Sequence, residues 1–353
     1  MIDLIKTRRD LHQIPELGFK EYNTQKYIVN ALSKMNCKLF LINTGVVAFF
    51  NNGKEKTLAY RSDMDGLAIK EENEVEYKSK NDCMHACGHD AHMALALGIC
   101  DYLNDHYHEY PHNFAIIFQP SEEVFGGSKL ILDSNILSEL KVDKIIGIHL
   151  FPKLEKGKFL TSKTIFASSR EIDISIKTSP IHAANKKEGK DSLKIAINII
   201  NYINKLKYKS SLIHIGYLSS GISRNIVSPV STIKGTIRSK KEDKKICDKI
   251  INKIKKIKKR NQIEISYNLS SYLPMINNDA NLINRAKEKI PLVISNHTYY
   301  QGEDFSLYSQ KYHSLFLLYG IGDTPYLHSS NFNFDDSLLK ECLSKLIKLL
   351  SID

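Results

Sequence analysis

The stretch Thr57-Leu58-Ala59-Tyr60-Arg61-Ser62-Asp63-Met64-Asp65-Gly66 reads as a short apolar strand that ends abruptly in two carboxylates. Its first part predicts a buried strand over 57–61, and the change to acid groups marks where the chain leaves the core. The same event recurs downstream. Asn113–Phe118 predicts a buried strand running into Gln119-Pro120-Ser121-Glu122-Glu123, and Lys144–Ile148 predicts another that delivers His149. Between them, His85-Ala86-Cys87-Gly88-His89-Asp90 opens an unbroken apolar segment, Ala91–Tyr102, which predicts a buried helix. Strand, polar loop and helix alternating in this way predict an α/β domain with a mainly parallel sheet. In such sheets functional groups collect at the carboxyl ends of the strands. The carboxylates and imidazoles here all follow their strands.

Working outward, Asp3–Asp10 and Tyr22–Met35 predict helices and Gly45–Phe50 a strand. From about Ala167 the pattern changes. Arg170–Thr178, Ser211–Leu218, Ser231–Arg238 and Gln262–Leu269 read as strands, with amphipathic helices over Ser192–Leu206 and Lys241–Lys259. This β-α-β-β-α-β order can fold as a unit of its own. A strand over Tyr312–Gly320 and a helix over Asp336–Leu350 then resume the first pattern. The expected organisation is one α/β domain, residues 1–166 and 274–353, interrupted by an inserted α+β domain over 167–273.

Length agrees, since 353 residues exceed one ordinary core and suit two domains. No apolar run approaches the roughly 18 residues that cross a bilayer. The start carries Asp3 and lacks a secretory apolar stretch, so a cytoplasmic protein is expected. The cysteines are sparse and irregularly spaced, as free thiols are, and only Cys87 sits in a chemical context. The net charge of +11 raises the question of an anionic polymer as partner. In the densest run, Lys253 to Arg260, the lysines form the wet face of a helix whose stripe is Cys247, Ile250, Ile254 and Ile257. Aromatics are not interleaved with them, and neither a nucleic-acid nor a membrane partner is expected.

Three pieces carry chemistry: Asp63-x-Asp65, Cys87-x-His89-Asp90-x-His92, and Glu122-Glu123. His149 and His328 join them, both after apolar segments. Thiolate, imidazole and carboxylate suit zinc and related divalent ions. A close pair of ions needs five or more such groups, and attack on an amide also needs a base for the water proton. Of two adjacent carboxylates leaving a strand, one can face a metal and the other the substrate. Each piece alone has an ordinary explanation: a buried Cys, a solvated acid pair, a turn-capping Asp, a core His. Together at strand ends they point to one hydrolytic site.

The ordered set of motifs resembles the metal-dependent aminoacylase and carboxypeptidase family. It runs through Arg8-Arg9-Asp10-Leu11-His12-Gln13-Ile14-Pro15-Glu16-Leu17-Gly18, Arg61 to Leu67, His85 to Asp90, and Phe118 to Glu123. It continues in Gly147-Ile148-His149, Gly302-Glu303-Asp304-Phe305 and Leu327-His328-Ser329. The similar subgroup holds N-acetyldiaminopimelate deacetylases, hippurate hydrolases and auxin-conjugate hydrolases, with the deacetylases most alike. The resemblance implies metal ligands at Cys87, His89, Glu123, His149 and His328, holding two divalent ions (zinc, manganese, cobalt or nickel). Glu122 matches the general base and Asp65 the carboxylate that orients the site. The inserted domain is implied to be a lid and dimerisation domain of a homodimer. Its His182 would reach the substrate carbonyl across the dimer interface, with Asn225 and Arg238 adding contacts. His12 has a structural reading, in a packed helix–turn region. The implied substrate is an N-acyl amino acid, and the implied reaction is deacetylation of N-acetyldiaminopimelate on the route to lysine. A broader aminoacylase or conjugate hydrolase is the alternative, and a catalytically degenerate binding protein a third reading. The chain departs from the family in the lid approach, Lys177-Thr178-Ser179-Pro180-Ile181, in lacking Pro-His after Ala184, and in Ala68 where a proline is common. These changes bear on lid contacts and substrate choice, not on the metal and base positions.

Overall fold

The computed structural model describes residues 2–270 and 272–352, which form two compact units. Unit one contains 1–165, 277–297 and 304–353, and unit two contains 166–276 and 298–303.

In unit one an eight-stranded sheet has a parallel centre. Strands Asn113–Gln119, Thr57–Asp63, Val142–Phe151 and His313–Gly320 lie side by side in that order, all parallel. Burial explains why their sequences read as apolar runs: Thr57–Asp63 and Asn113–Gln119 are buried at every position, as strands covered on both faces are. Antiparallel partners flank this centre: Gly45–Phe50 then Lys38–Ile42 on one side, Phe159–Thr161 on the other, with Leu292–Ile294 parallel to it at the far edge. The mixed edges were not legible, because the strands Lys38–Ile42, Phe159–Thr161 and Leu292–Ile294 are short and partly exposed.

Helix His89–His106 is buried from His89 through Cys100. An apolar helix of that kind needs cover on every side. Helices Leu4–His12 and Leu338–Leu349 supply some of it, packing so closely that a Cβ on Gly98 would lie 2.8 Å from Leu4 and 2.9 Å from Leu343. The basic run behaves as its spacing predicts: in helix Lys244–Asn261 of unit two, Cys247, Ile250, Ile254 and Ile257 are buried and the lysines lie outside. They join Ile172, Ile174, Ile199, Ile203, Ile233 and Ile237 in a core beneath a four-stranded antiparallel sheet. That sheet contains Ser211–Ser220, Val230–Ser239, Ser168–Lys177 and Glu264–Leu269, in that spatial order. No helix among the described residues is long and apolar enough to cross a membrane.

Buried ions lock the first helix to the core. Arg8 is fully buried, with Nε 3.1 Å from Asp90 Oδ2, Nη2 3.1 Å from Asn333 Oδ1, and a contact to Asp336. His12 lies 2.8 Å from Asp90 Oδ2 through Nδ1 and 3.2 Å from Glu71 Oε1 through Nε2. Burial and Arg8 disfavour charge on His12, yet Asp90 and Glu71 outweigh them and raise its pKa to about 9. A raised pKa binds protons better in the folded state, so this contribution is complete below about 6.5 and fades as pH rises through 9. At full strength it is on the order of 3 kcal/mol. The stability gap between wild type and His12→Gln, measured by urea unfolding, is expected to shrink steadily from pH 6.5 to 10. A gap independent of pH would contradict a charged His12.

Candidate active site

Strand Thr57–Asp63 delivers Asp63 and Asp65, strand Asn113–Gln119 leads into Glu122 and Glu123, and strand Val142–Phe151 carries His149 near its end. Helix His89–His106 starts at His89, after Gly88 turns the chain at φ +84. Only a residue without a Cβ takes that angle freely. His328 follows strand His313–Gly320 and is itself at φ +65; its N–H donates to the Ala86 carbonyl at 2.8 Å, beside Cys87.

The five residues expected to ligate come together. One ligand atom each from Cys87, His89 and His149 lie within 4.8 Å of one another, and so do those of Cys87, Glu123 and His328. Cys87 is common to both groups. Glu122 forms a third group with His89 and Glu123 within the same distance. The imidazoles are oriented by the backbone. His89 Nδ1 is 2.9 Å from the Asp65 carbonyl and His149 Nδ1 is 2.7 Å from the Leu150 carbonyl. A carbonyl only accepts, so Nδ1 carries the proton in each case and Nε2 is the atom that faces the site.

Burial disfavours charge on His89, but the carboxylates of Asp63, Asp65 and Glu123 outweigh it and lift its pKa to about 10. The site attracts positive charge. Burial and the neighbouring His92 hold His149 down to about 3, as the neutral imidazole that ligates metals. Burial, reinforced by Glu123 and Glu122, pushes the Cys87 thiol well above its ordinary range. A divalent cation among these groups reverses that balance in favour of thiolate. Burial also opposes ionisation of Glu123, but His328 at 3.3 Å and charged His89 at 3.9 Å hold it below the ordinary carboxylate value.

Asp65 orients the site through the backbone: its Oδ1 accepts from the Glu122 N–H and its Oδ2 from the Glu123 N–H, both at 3.0 Å. Behind it lies a layer to which sequence reasoning assigned no role. Asp63 is fully buried; Arg61 Nη1 donates to its Oδ2 at 2.7 Å and His92 Nδ1 lies 2.6 Å from its Oδ1. His92 Nε2 accepts from the Leu150 N–H at 3.0 Å, so both of its nitrogens are used and it supports rather than ligates. Arg61 also donates to Gln119 at 2.9 Å and to Asp304 at 2.8 Å. One signal was available: an arginine inside an otherwise apolar buried strand calls for buried carboxylates.

His182, Asn225 and Arg238 belong to unit two. His182 pairs with Ile226 across the short strands Ile181–His182 and Ile226–Val227, and the Ala183 N–H donates to the Asn225 carbonyl at 2.9 Å. These two residues are brought together. Arg238 is not with them: it pairs with Ser169 while Val230, nearer Asn225, pairs with Lys177. That register puts Arg238 at the other end of the sheet, on the order of 25 Å along the strand. There it contacts Ser169 and donates to Glu171 at 3.1 Å.

Residues 59–351 match the family described as Peptidase family M20/M25/M40. This chain is a member of that family. Among relatives, an N-acetyldiaminopimelate deacetylase of Streptococcus uberis is 33% identical, covering 98% of this chain and 97% of its own. The Bacillus subtilis protein of the same name is 30% identical over 99% and 98%. A solved structure of a dinuclear metal-binding M20 peptidase from Bacillus subtilis superposes with a TM-score of 0.85 at 28% identity, covering 99% of this chain and 96% of that one.

This M20 chain passes a direct test of fit for divalent ions. His89 Nε2 is buried with no hydrogen-bond partner among the described residues, although Asp63 Oδ2 is 3.6 Å away and Glu123 Oε1 3.9 Å. A buried nitrogen left unpaired amid carboxylates, an imidazole and a thiol is the setting a metal ion satisfies.

Proposed function

We propose that this M20 hydrolase is an N-acetyldiaminopimelate deacetylase, converting N-acetyl-LL-2,6-diaminopimelate and water to LL-2,6-diaminopimelate and acetate. The observation that carries hydrolysis is the pair of ligand groups sharing Cys87, with Glu122 beside them. The names of the full-length relatives support the substrate.

In this reading Cys87, His89, Glu123, His149 and His328 would hold two divalent ions. Bound there, the ions supply Lewis-acid polarisation of the amide carbonyl and a more acidic water. The protein's own groups do the rest. Glu122, pinned by Asp65 at its backbone, takes the water proton and returns it to the leaving amine. Asp63 keeps His92 aligned from behind, and the Asp65 carbonyl does the same for His89. His182 and Asn225 contact the substrate from a second copy of the chain. Their separation from Arg238 supports this, because a small amino-acid substrate cannot span both ends of one sheet. Unit two then serves as lid and dimerisation unit in a cytoplasmic homodimer.

The test is acetate release from N-acetyl-LL-diaminopimelate by chelator-treated and metal-reloaded protein, beside N-acetyl and N-benzoyl amino acids. Turnover is expected only after reloading, with kcat/KM for the diaminopimelate substrate at least tenfold above the others. Preference for another conjugate would move the chain to the general aminoacylases. Absence of turnover with metal bound would overturn the hydrolase reading.

A further inference from the structure

The hydrolytic reading puts its base on a short loop between strand Asn113–Gln119 and helix Gly127–Asp133, and the reaction itself does not explain how that loop keeps its shape. The backbone is unusual there. Ser121 and Phe125 lie at φ +52 and +57, in the left-handed region that side chains disfavour, and Gly126 is at φ +123. A conformation of this kind persists only where its surroundings enforce it.

Enforcement comes from carboxylates on three consecutive amides. The N–H groups of Glu122 and Glu123 donate to Asp65, and the N–H of Ser121 donates to Glu21 Oε1 at 2.8 Å. Glu21 lies 100 residues upstream and is fully buried. Its other oxygen accepts from the hydroxyl of buried Thr44 at 2.6 Å. Burial pushes the Glu21 pKa upward, the hydrogen bonds from Thr44 and Ser121 oppose that shift, and two such bonds on one buried acid fix its orientation.

The rest of the segment closes on the same loop. A Cβ on Gly18 would lie 2.8 Å from Ser121 Oγ and 2.9 Å from Val124, and a Cβ on Gly126 would lie 3.3 Å from the Phe19 ring. The Gly66 N–H donates to the Glu16 carbonyl at 2.7 Å, so residues 16–21 also hold the turn that carries Asp65. This N-terminal segment thereby grips both sides of the acid pair.

We infer that Glu21 is a positioning residue for hydrolysis: by holding the Ser121 amide it sets, with Asp65, the direction in which Glu122 leaves the strand. The inference rests on Glu122 being the base. A misdirected base costs rate far more than substrate affinity, since displacement of about 1 Å can lose 10²-fold. Asp65 still holds its two amides without Glu21, so the metal is retained.

The experiment compares wild type, Glu122→Gln, Glu21→Ala, Glu21→Gln and Thr44→Val as metal-reloaded full-length proteins. Wild-type turnover abolished in Glu122→Gln must come first; without it the hydrolytic reading itself fails, separately from this inference. Glu21→Ala is then expected to lose roughly 10–100-fold in kcat, with KM within threefold and metal content unchanged. Glu21→Gln, which keeps an acceptor for the Ser121 amide, retains most of the rate. Hydrogen exchange in a peptide spanning 119–127 is expected to quicken in Glu21→Ala and stay slow in Glu21→Gln. Should Glu21→Ala fail to fold, Thr44→Val decides, with an expected loss of about three- to tenfold in kcat. Wild-type kcat in Glu21→Ala, or in Thr44→Val if that variant decides, overturns the inference. So does an equal loss in the Ala and Gln variants, or a loss of rate that only follows loss of metal or global unfolding.

Discussion

Glu122→Gln is expected to keep its metal and its fold while losing roughly 10²–10⁴-fold in kcat. The two adjacent acids are not equivalent. Glu123 faces His328 at 3.3 Å and His89 at 3.9 Å, and these contacts hold its pKa below the ordinary carboxylate value against the effect of burial. Glu122 shares the pocket with His89 and Glu123, its backbone is fixed by Asp65, and in the proposed function it is the acid that transfers the proton. Gln has nearly the same shape and can hydrogen-bond, but it accepts no proton at neutral pH. The companion variant Glu123→Gln should fail differently, losing bound metal as well as rate. Metal analysis beside steady-state kinetics separates the two. A Glu122→Gln protein with near wild-type kcat would remove Glu122 from the mechanism.

Arg61→Met is expected to destabilise the protein by roughly 3–5 kcal/mol, among the largest effects of any single substitution. Arg61 is fully buried and joins Asp63, Asp304 and Gln119. Methionine fills a similar volume but leaves two buried carboxylates without their cation. Asp304 is already pushed upward by burial, with Arg61 the largest opposing influence. Without Arg61 its pKa rises further, so the folded variant takes up a proton that the unfolded chain does not. The deficit should therefore be greatest near neutral pH and shrink as pH falls toward 5. Arg61→Lys keeps the charge but not the fork that reaches three partners, and an intermediate loss is expected. Urea unfolding of the three proteins at pH 5 and 7.5 measures this. A loss under 1 kcal/mol at pH 7.5 would show that Asp63 and Asp304 find other partners.

Much of the site was legible because its residues sit where local pattern changes. An apolar strand turning to carboxylate at Asp63, or to Glu122-Glu123 after Phe118, is visible without knowing what lies beside it. Glu21 and Asp304 are different. Glu21 sits in a polar stretch before helix Tyr22–Leu32, where an acid ordinarily faces water. Its burial depends on Thr44 and the Ser121 amide, neither of which is near it in sequence. His92 was visible at three residues from His89 on one helix, but whether its nitrogens face a metal or a carboxylate depends on Asp63 and Leu150.

The sequence by itself determined the alternation of elements, the mainly parallel centre of the sheet and the identity of the acid, imidazole and thiol groups. Those properties are written in periods of a few residues, and burial on one or both faces imposes them locally. Only the tertiary structure decided that two candidate metal-binding groups overlap at Cys87, that Asp63 and Asp65 work on different partners, and that Arg238 lies far from His182. Each of these depends on strand order and register, which bring together residues tens to hundreds of positions apart. A sequence pattern repeats over neighbours, and it carries no distance between groups that meet only when the sheet has formed.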